Sequence, residues 1–115
     1  MVEIKISRDE KRKIREFESS GHANYAEVGQ DIVCAGVSSL LQTAVLGLEV
    51  YLRTEPKVKQ KEGWLRCRVD RDEIYMDREI DAILETMLLG LKAIQEQHPD
   101  HLKLEEVTSD VAGKV

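Results

Sequence analysis

The sequence holds only two cysteines, Cys34 and Cys67. Residues 1–6 are too short for a secretory leader and run into charged residues. Together these features point to a reducing cytoplasm, where a structural disulfide is not expected. With two prolines and seven glycines, a long flexible linker is not expected either. Internal repeats and low-complexity segments are lacking, as are a glycine-rich phosphate loop and a paired-cysteine zinc motif. Positive charge is also short: the formal net charge is −5, whereas a protein that grips duplex nucleic acid needs a basic stripe to displace counterions. The one basic run, Lys11-Arg12-Lys13, sits beside Asp9 and Glu10 and reads as a solvated turn.

What is present fits one soluble domain over residues 1–115, with the tail after about residue 108 frayed. Hydrophobic residues make up 42% and charged residues 34%, enough for both a core and a charged surface. Mild acidity keeps such a protein soluble and steers a basic peptide toward it. Between Ile32 and Leu52 a single charge, Glu49, occurs in 21 residues, a length that can span a bilayer. Ser38, Ser39, Gln42, Thr43 and Glu49 interrupt the run, so a helix buried on most sides is expected instead.

The patterning gives an order of elements. Val2, Ile4 and Ile6 alternate with Glu3 and Lys5, a half-buried strand. A second strand over residues 14–19 completes a hairpin, and the opposite parity of Ile14 and Phe17 calls for a bulge. Residues 20–30 lack a period and form a loop. Asp31 then precedes the apolar run as a helix cap, and the helix runs from 32 to about 53. Its main apolar face is Val33, Val37, Leu40, Leu41, Ala44, Leu48 and Leu52. Val45, Leu46 and Val50 widen that face, so a second helix or a second subunit must cover it. Strands at 57–61 and 64–69 meet at Glu62-Gly63 and turn Leu65, Cys67 and Val69 to one face. A second helix spans 77–97, with Ile80, Ile83, Leu84, Met87, Leu88, Leu91 and Ile94 at helical spacing, and a last strand lies at 102–107. The order strand-strand-helix-strand-strand-helix-strand predicts a two-layer α+β fold: a mainly antiparallel sheet with two helices on one face.

The residues able to carry chemistry cluster where the loop enters the first helix. A nucleophilic cysteine needs a thiolate, a base and donors for an oxyanion. Cys34, near the start of a helix, meets unpaired backbone N–H groups and the positive end of the dipole, which favour the thiolate. His22 lies twelve residues earlier on a loop able to fold back over that helix start. Its imidazole is placed to serve as base and then protonate a leaving amine. Ser38 shares the face of Cys34 one turn deeper. Asp31 is either the cap or a third catalytic member orienting His22. Gly21 supplies a backbone angle a bulkier residue would strain, and Gly29 lets the substrate loop 24–30 move. Against this stand ordinary alternatives: a core cysteine and a solvated histidine. Cys67 reads as core. His98, Asp100 and His101 read as a surface cluster at a helix end rather than a metal site.

Gly21-His22-Ala23 followed by Asp31-Ile32-Val33-Cys34-Ala35-Gly36-Val37-Ser38 resembles the signature of the ribosomal-processing cysteine protease (Prp) family. The similarity extends over nearly the whole chain, through the opening hairpin, Glu55-Pro56, the Gly63 turn and Glu85-Thr86-Met87-Leu88. It implies a bacterial, cytoplasmic, homodimeric peptidase without cofactor. The implied substrate is the short N-terminal extension of a large-subunit ribosomal protein, which the enzyme removes. It places the catalytic histidine on His22 and the nucleophile on Cys34, with Gly21, Asp31 and Ser38 at supporting motif positions. No direct contact with nucleic acid or membrane is implied. A rival from another class is a non-catalytic ribosome-assembly or peptide-binding dimer. A thiol redox sensor is a third, for which Cys67 is a poorly placed resolving partner.

Overall fold

The computed structural model describes residues 1–21, 30–72 and 75–108. Alternation sets its first hairpin: β1 (Val2–Arg8) and β2 (Ile14–Ser20) pair antiparallel, with Val2, Ile4 and Ile6 turned into the core. Ile6 faces Phe17, Ser7 faces Glu16 and Arg8 faces Ile14, so Arg15 is the extra residue of a bulge. That irregularity lets Ile14 and Phe17, of opposite parity, both be fully buried. The turn between the strands is tied to Asp9. Its Oδ1 accepts the N–H groups of Lys11 and Lys13 at 2.9 and 3.0 Å, and Arg15 Nε donates to Oδ2 at 2.8 Å. The Lys11-Arg12 tip is exposed, as a solvated turn should be.

Helix α1 spans Gln30–Leu46 and continues through a π-helical turn at Gly47–Tyr51, where Leu52 N–H donates to Gly47 O at 2.9 Å. The expected single helix to about residue 53 is therefore widened at its end by one residue per turn. Thr54 closes it, its N–H and its Oγ1 both donating to Leu48 O, at 2.9 and 2.7 Å. Val33, Val37, Leu41, Ala44, Val45, Leu48 and Leu52 are buried. Burial on most sides was expected but holds on one side only, with 33% of the most apolar 18-residue window within 32–51 buried. Ile32, Leu46, Val50 and Tyr51 lie on the surface. By length and composition alone that window is also able to cross a membrane.

Strands β3 (Lys57–Lys61) and β4 (Trp64–Arg68) form the second hairpin, and α2 spans Asp77–Gln97, the range its periodicity predicts. Ile80, Leu84, Met87, Leu88 and Leu91 are buried, with Ile83 and Ile94 packed against them. The two helices approach closely because each meets a glycine of the other. A Cβ on Gly36 would stand 3.1 Å from Ile94 Cδ1, and one on Gly90 would stand 2.9 Å from Leu40 Cδ1. Strand β5 (Leu102–Thr108) completes the sheet, whose order is β3-β4-β2-β1-β5. Three of its pairings are antiparallel, and β5 runs parallel to β1. The result is the two-layer α+β arrangement read from the sequence, with one face of the sheet against the helices and Glu3, Lys5, Lys103 and Glu105 open to solvent on the other.

A charged clasp joins the layers. The buried Arg71 side chain donates from Nη1 to Ile14 O at 3.0 Å and from Nη2 to Asp77 Oδ1 and Asp81 Oδ1 at 2.8 and 2.6 Å. Lys13 Nζ meets the same two carboxylates at 2.9 and 2.6 Å. The first hairpin is thereby anchored to the start of α2.

Candidate active site

A cleft of about 280 Å³ opens between α1 and the sheet. One wall is α1, which contributes Cys34, Val37, Ser38, Leu41 and Gln42. The other is the end of β2 with the tip of the β3–β4 hairpin, including Ser19, Gly21, Gln60, Trp64 and Leu65. The floor is apolar, through Leu41 and Leu65, and the rim is polar, through Ser38, Gln42 and Gln60. Such a groove suits an extended peptide, whose side chains alternate between an apolar floor and solvent.

Cys34 is half-buried and opens into this cleft, and Ser38 lines it one helical turn further on. The sulfur is thus not sealed beneath apolar side chains. Gln30 and Asp31 both lie in α1, so Asp31 does not precede the helix as the expected cap. The opening N–H groups of a helix lack intrahelical partners, and Cys34 follows Gln30 by four residues on α1.

Gly21 stands where the chain leaves β2, with φ +94°. A Cβ there would come within 2.3 Å of Met1 O, so both the angle and the space demand glycine. Its N–H donates to Gly63 O at 3.0 Å and joins the two rims of the strand wall. His22 and Gly29 lie outside the described residues, as does most of the loop 24–30.

The second thiol has a different environment. Cys67 is fully buried on the inner face of β4, and burial pushes it up to about 12, with Glu49 and Glu16 adding to the effect. Near neutral pH it is a thiol, unfit as nucleophile or resolving partner. The His98–His101 segment is a backbone turn after α2, with His101 N–H donating to His98 O at 3.0 Å. Among the described residues no group of three or more metal-binding side chains forms.

The hairpin tip is the part of the site that local sequence did not reveal. Trp64 stands at the rim with its ring on the solvent-facing side of the sheet, where Nε1 donates to Glu18 Oε2 at 2.7 Å and Lys61 Nζ lies 5.5 Å from the ring centroid. Gln60 and Trp64 reach the cleft only through the pairing of β4 with β2, a contact distant along the chain. Gln42 did carry a signal, since it continues the Cys34–Ser38 spacing of four.

Comparison with known proteins gives a consistent picture. The family model described as Cysteine protease Prp matches residues 1–103. The ribosomal processing cysteine protease Prp of Bacillus subtilis is 30% identical over 107 residues, covering 90% of this chain and 96% of its own. The crystal structure of an essential ribosomal processing protease Prp from S. aureus with a substrate peptide superposes with a TM-score of 0.83 at 27% identity, over 92% of this chain and 99% of that one. The S. aureus enzyme with a covalently linked product peptide gives a TM-score of 0.79 at 29% identity, with the same coverage.

Proposed function

Since the chain belongs to the Prp family of cysteine proteases, we propose that Cys34 is its nucleophile and His22 its base. The observation that carries this is Cys34 opening from the start of α1 into a peptide-sized cleft while the other thiol is sealed in the core. The Cys34 thiolate attacks the scissile carbonyl and forms a thioester as the amine departs. N–H groups at the opening of α1 receive the oxyanion. His22 takes up the thiol proton and returns it to the leaving amine, and water then releases the acyl group. Ser38 supports the sulfur from the next turn, and Asp31 either steadies the helix start or orients His22. Gly21 sets the direction in which the loop leaves β2, and Gly29 lets residues 24–30 rearrange around substrate.

The substrate we propose is the N-terminal extension of a large-subunit ribosomal protein. Support comes from the relatives' names, which describe ribosomal processing, and from net negative charge that steers a basic chain. The setting is the cytoplasm, with no cofactor and no direct nucleic-acid contact. The working form is a homodimer, for which the exposed Ile32, Leu46, Val50 and Tyr51 supply apolar surface.

Incubating the purified protein with such an extended N-terminal peptide and reading the products by mass spectrometry tests the proposal. One internal cleavage is expected from the wild type and none from Cys34→Ala or His22→Ala, with both variants folded by circular dichroism. Cleavage at the wild-type rate by Cys34→Ala would overturn the mechanism. Tight binding without cleavage by the wild type would favour a peptide-holding module instead.

A further inference from the structure

Two amide side chains on opposite walls of the cleft have no part in the chemistry described above. On α1, Cys34, Ser38 and Gln42 recur every four residues and line the cleft as one stripe. From Cys34 to Gln42 the helix rises about 12 Å. An extended peptide advances about 3.3 Å per residue, so the stripe matches three to four substrate residues. Facing it is Gln60 of β3, the edge strand of the sheet, on the side of the strand that also turns Val58 toward the helix layer. Gln60 is exposed at that edge. Neither Gln42 nor Gln60 makes a side-chain hydrogen bond among the described residues. Each primary amide offers a donor and an acceptor, the pair of groups that every peptide unit presents in return.

We infer that Gln42 and Gln60 form a main-chain clamp that grips one peptide unit of the extended substrate three to four residues from the scissile bond. The clamp rests on Cys34 being the nucleophile of this cleft, since Cys34 fixes the point from which the distance is counted. Holding the main chain sets register without reading a side chain, so the amides align substrates of different sequence over the same sulfur.

An ester scan tests it. In a cleavable peptide each non-scissile main-chain amide is replaced in turn by an ester, which removes the N–H donor and weakens the carbonyl acceptor. The kcat/KM of wild type, Gln42→Leu and Gln60→Leu is then measured, with the rate of Cys34 alkylation by iodoacetamide as a reference. One ester three to four residues from the scissile bond should lower the wild-type kcat/KM about five- to tenfold, the effect of one hydrogen bond. That penalty should vanish in the variant that lacks the amide accepting this N–H and shrink in the other, which has lost its bond to the weakened carbonyl, while alkylation proceeds at the wild-type rate in both. An equal penalty in wild type and variants, or a wild-type profile flat at that distance, overturns the clamp alone. Failure of the wild type to cleave any peptide overturns the Cys34 assignment on which the clamp is built.

Discussion

At the scale of single residues, the two cysteines show how environment rather than identity decides reactivity. Both are thiols, yet one opens on a cleft and the other is buried and pushed up to about 12. Native protein treated with iodoacetamide near neutral pH should therefore gain one adduct per chain, mapped to Cys34, and a second only after unfolding. Two adducts on folded protein would contradict the burial of Cys67. Gly21 gives a second prediction. Its positive φ and the 2.3 Å approach to Met1 O make Gly21→Ala cost about 1–3 kcal/mol in denaturant unfolding. A loss below about 0.5 kcal/mol, the usual range for a surface substitution, would mean that the strand end relaxes freely. At this scale the sequence was informative where chemistry is local. The glycine before His22 and the cysteine near a helix start are both visible in a one-dimensional pattern. Gln60 and Trp64 were not visible, because only the sheet register brings them to the cleft.

At the scale of elements, periodicity worked best where one face dominates. Helix α2 ends where its apolar spacing says, and the bulge in β2 was readable from two buried residues of opposite parity. The π turn was not readable, since an apolar run such as Gly47–Tyr51 carries the same composition in either helix. The parallel pairing of β5 was also hidden, because strand alternation is the same in both directions. The clasp between the hairpin and α2 yields a pH prediction. Asp77 is drawn down from 3.8 to about 2, first by its hydrogen bond to Lys13 and then by Arg71. Burial alone would raise Asp81, but the bonds from Lys13 and Arg71 outweigh it and hold it low too. Depressed carboxylates stabilise the fold above their unfolded value and lose that contribution as pH falls through the folded one. Tm should hold down to about pH 4 and then fall toward pH 2, with a shallower fall in Asp77→Asn. An identical acid profile in the variant would exclude the clasp as its source. Arg71→Met, which strands Ile14 O and the carboxylates, should cost about 2–3 kcal/mol.

At the scale of the whole molecule, the fold opens a cleft beside Cys34 of α1 and leaves an apolar surface along the same helix. The sequence called for a second helix or a second subunit to cover the widened face of α1; α2 packs on part of it, and Leu46 and Val50 remain exposed. If a second copy covers them, sedimentation equilibrium should give a mass near twice 13.1 kDa for the wild type. Leu46→Glu with Val50→Glu should give the monomer mass, and a monomeric wild type would remove the dimer from the account. The central claim, however, is that the Cys34 sulfur bonds to the substrate. Its most direct measurement is an acid-quenched reaction with an extended ribosomal N-terminal peptide, digested and mapped by mass spectrometry. A mass increase equal to the acyl fragment, located on Cys34 and absent from Cys34→Ala, is predicted. Cleavage that proceeds with no acyl group ever found on Cys34, or with one found on another residue, would contradict it.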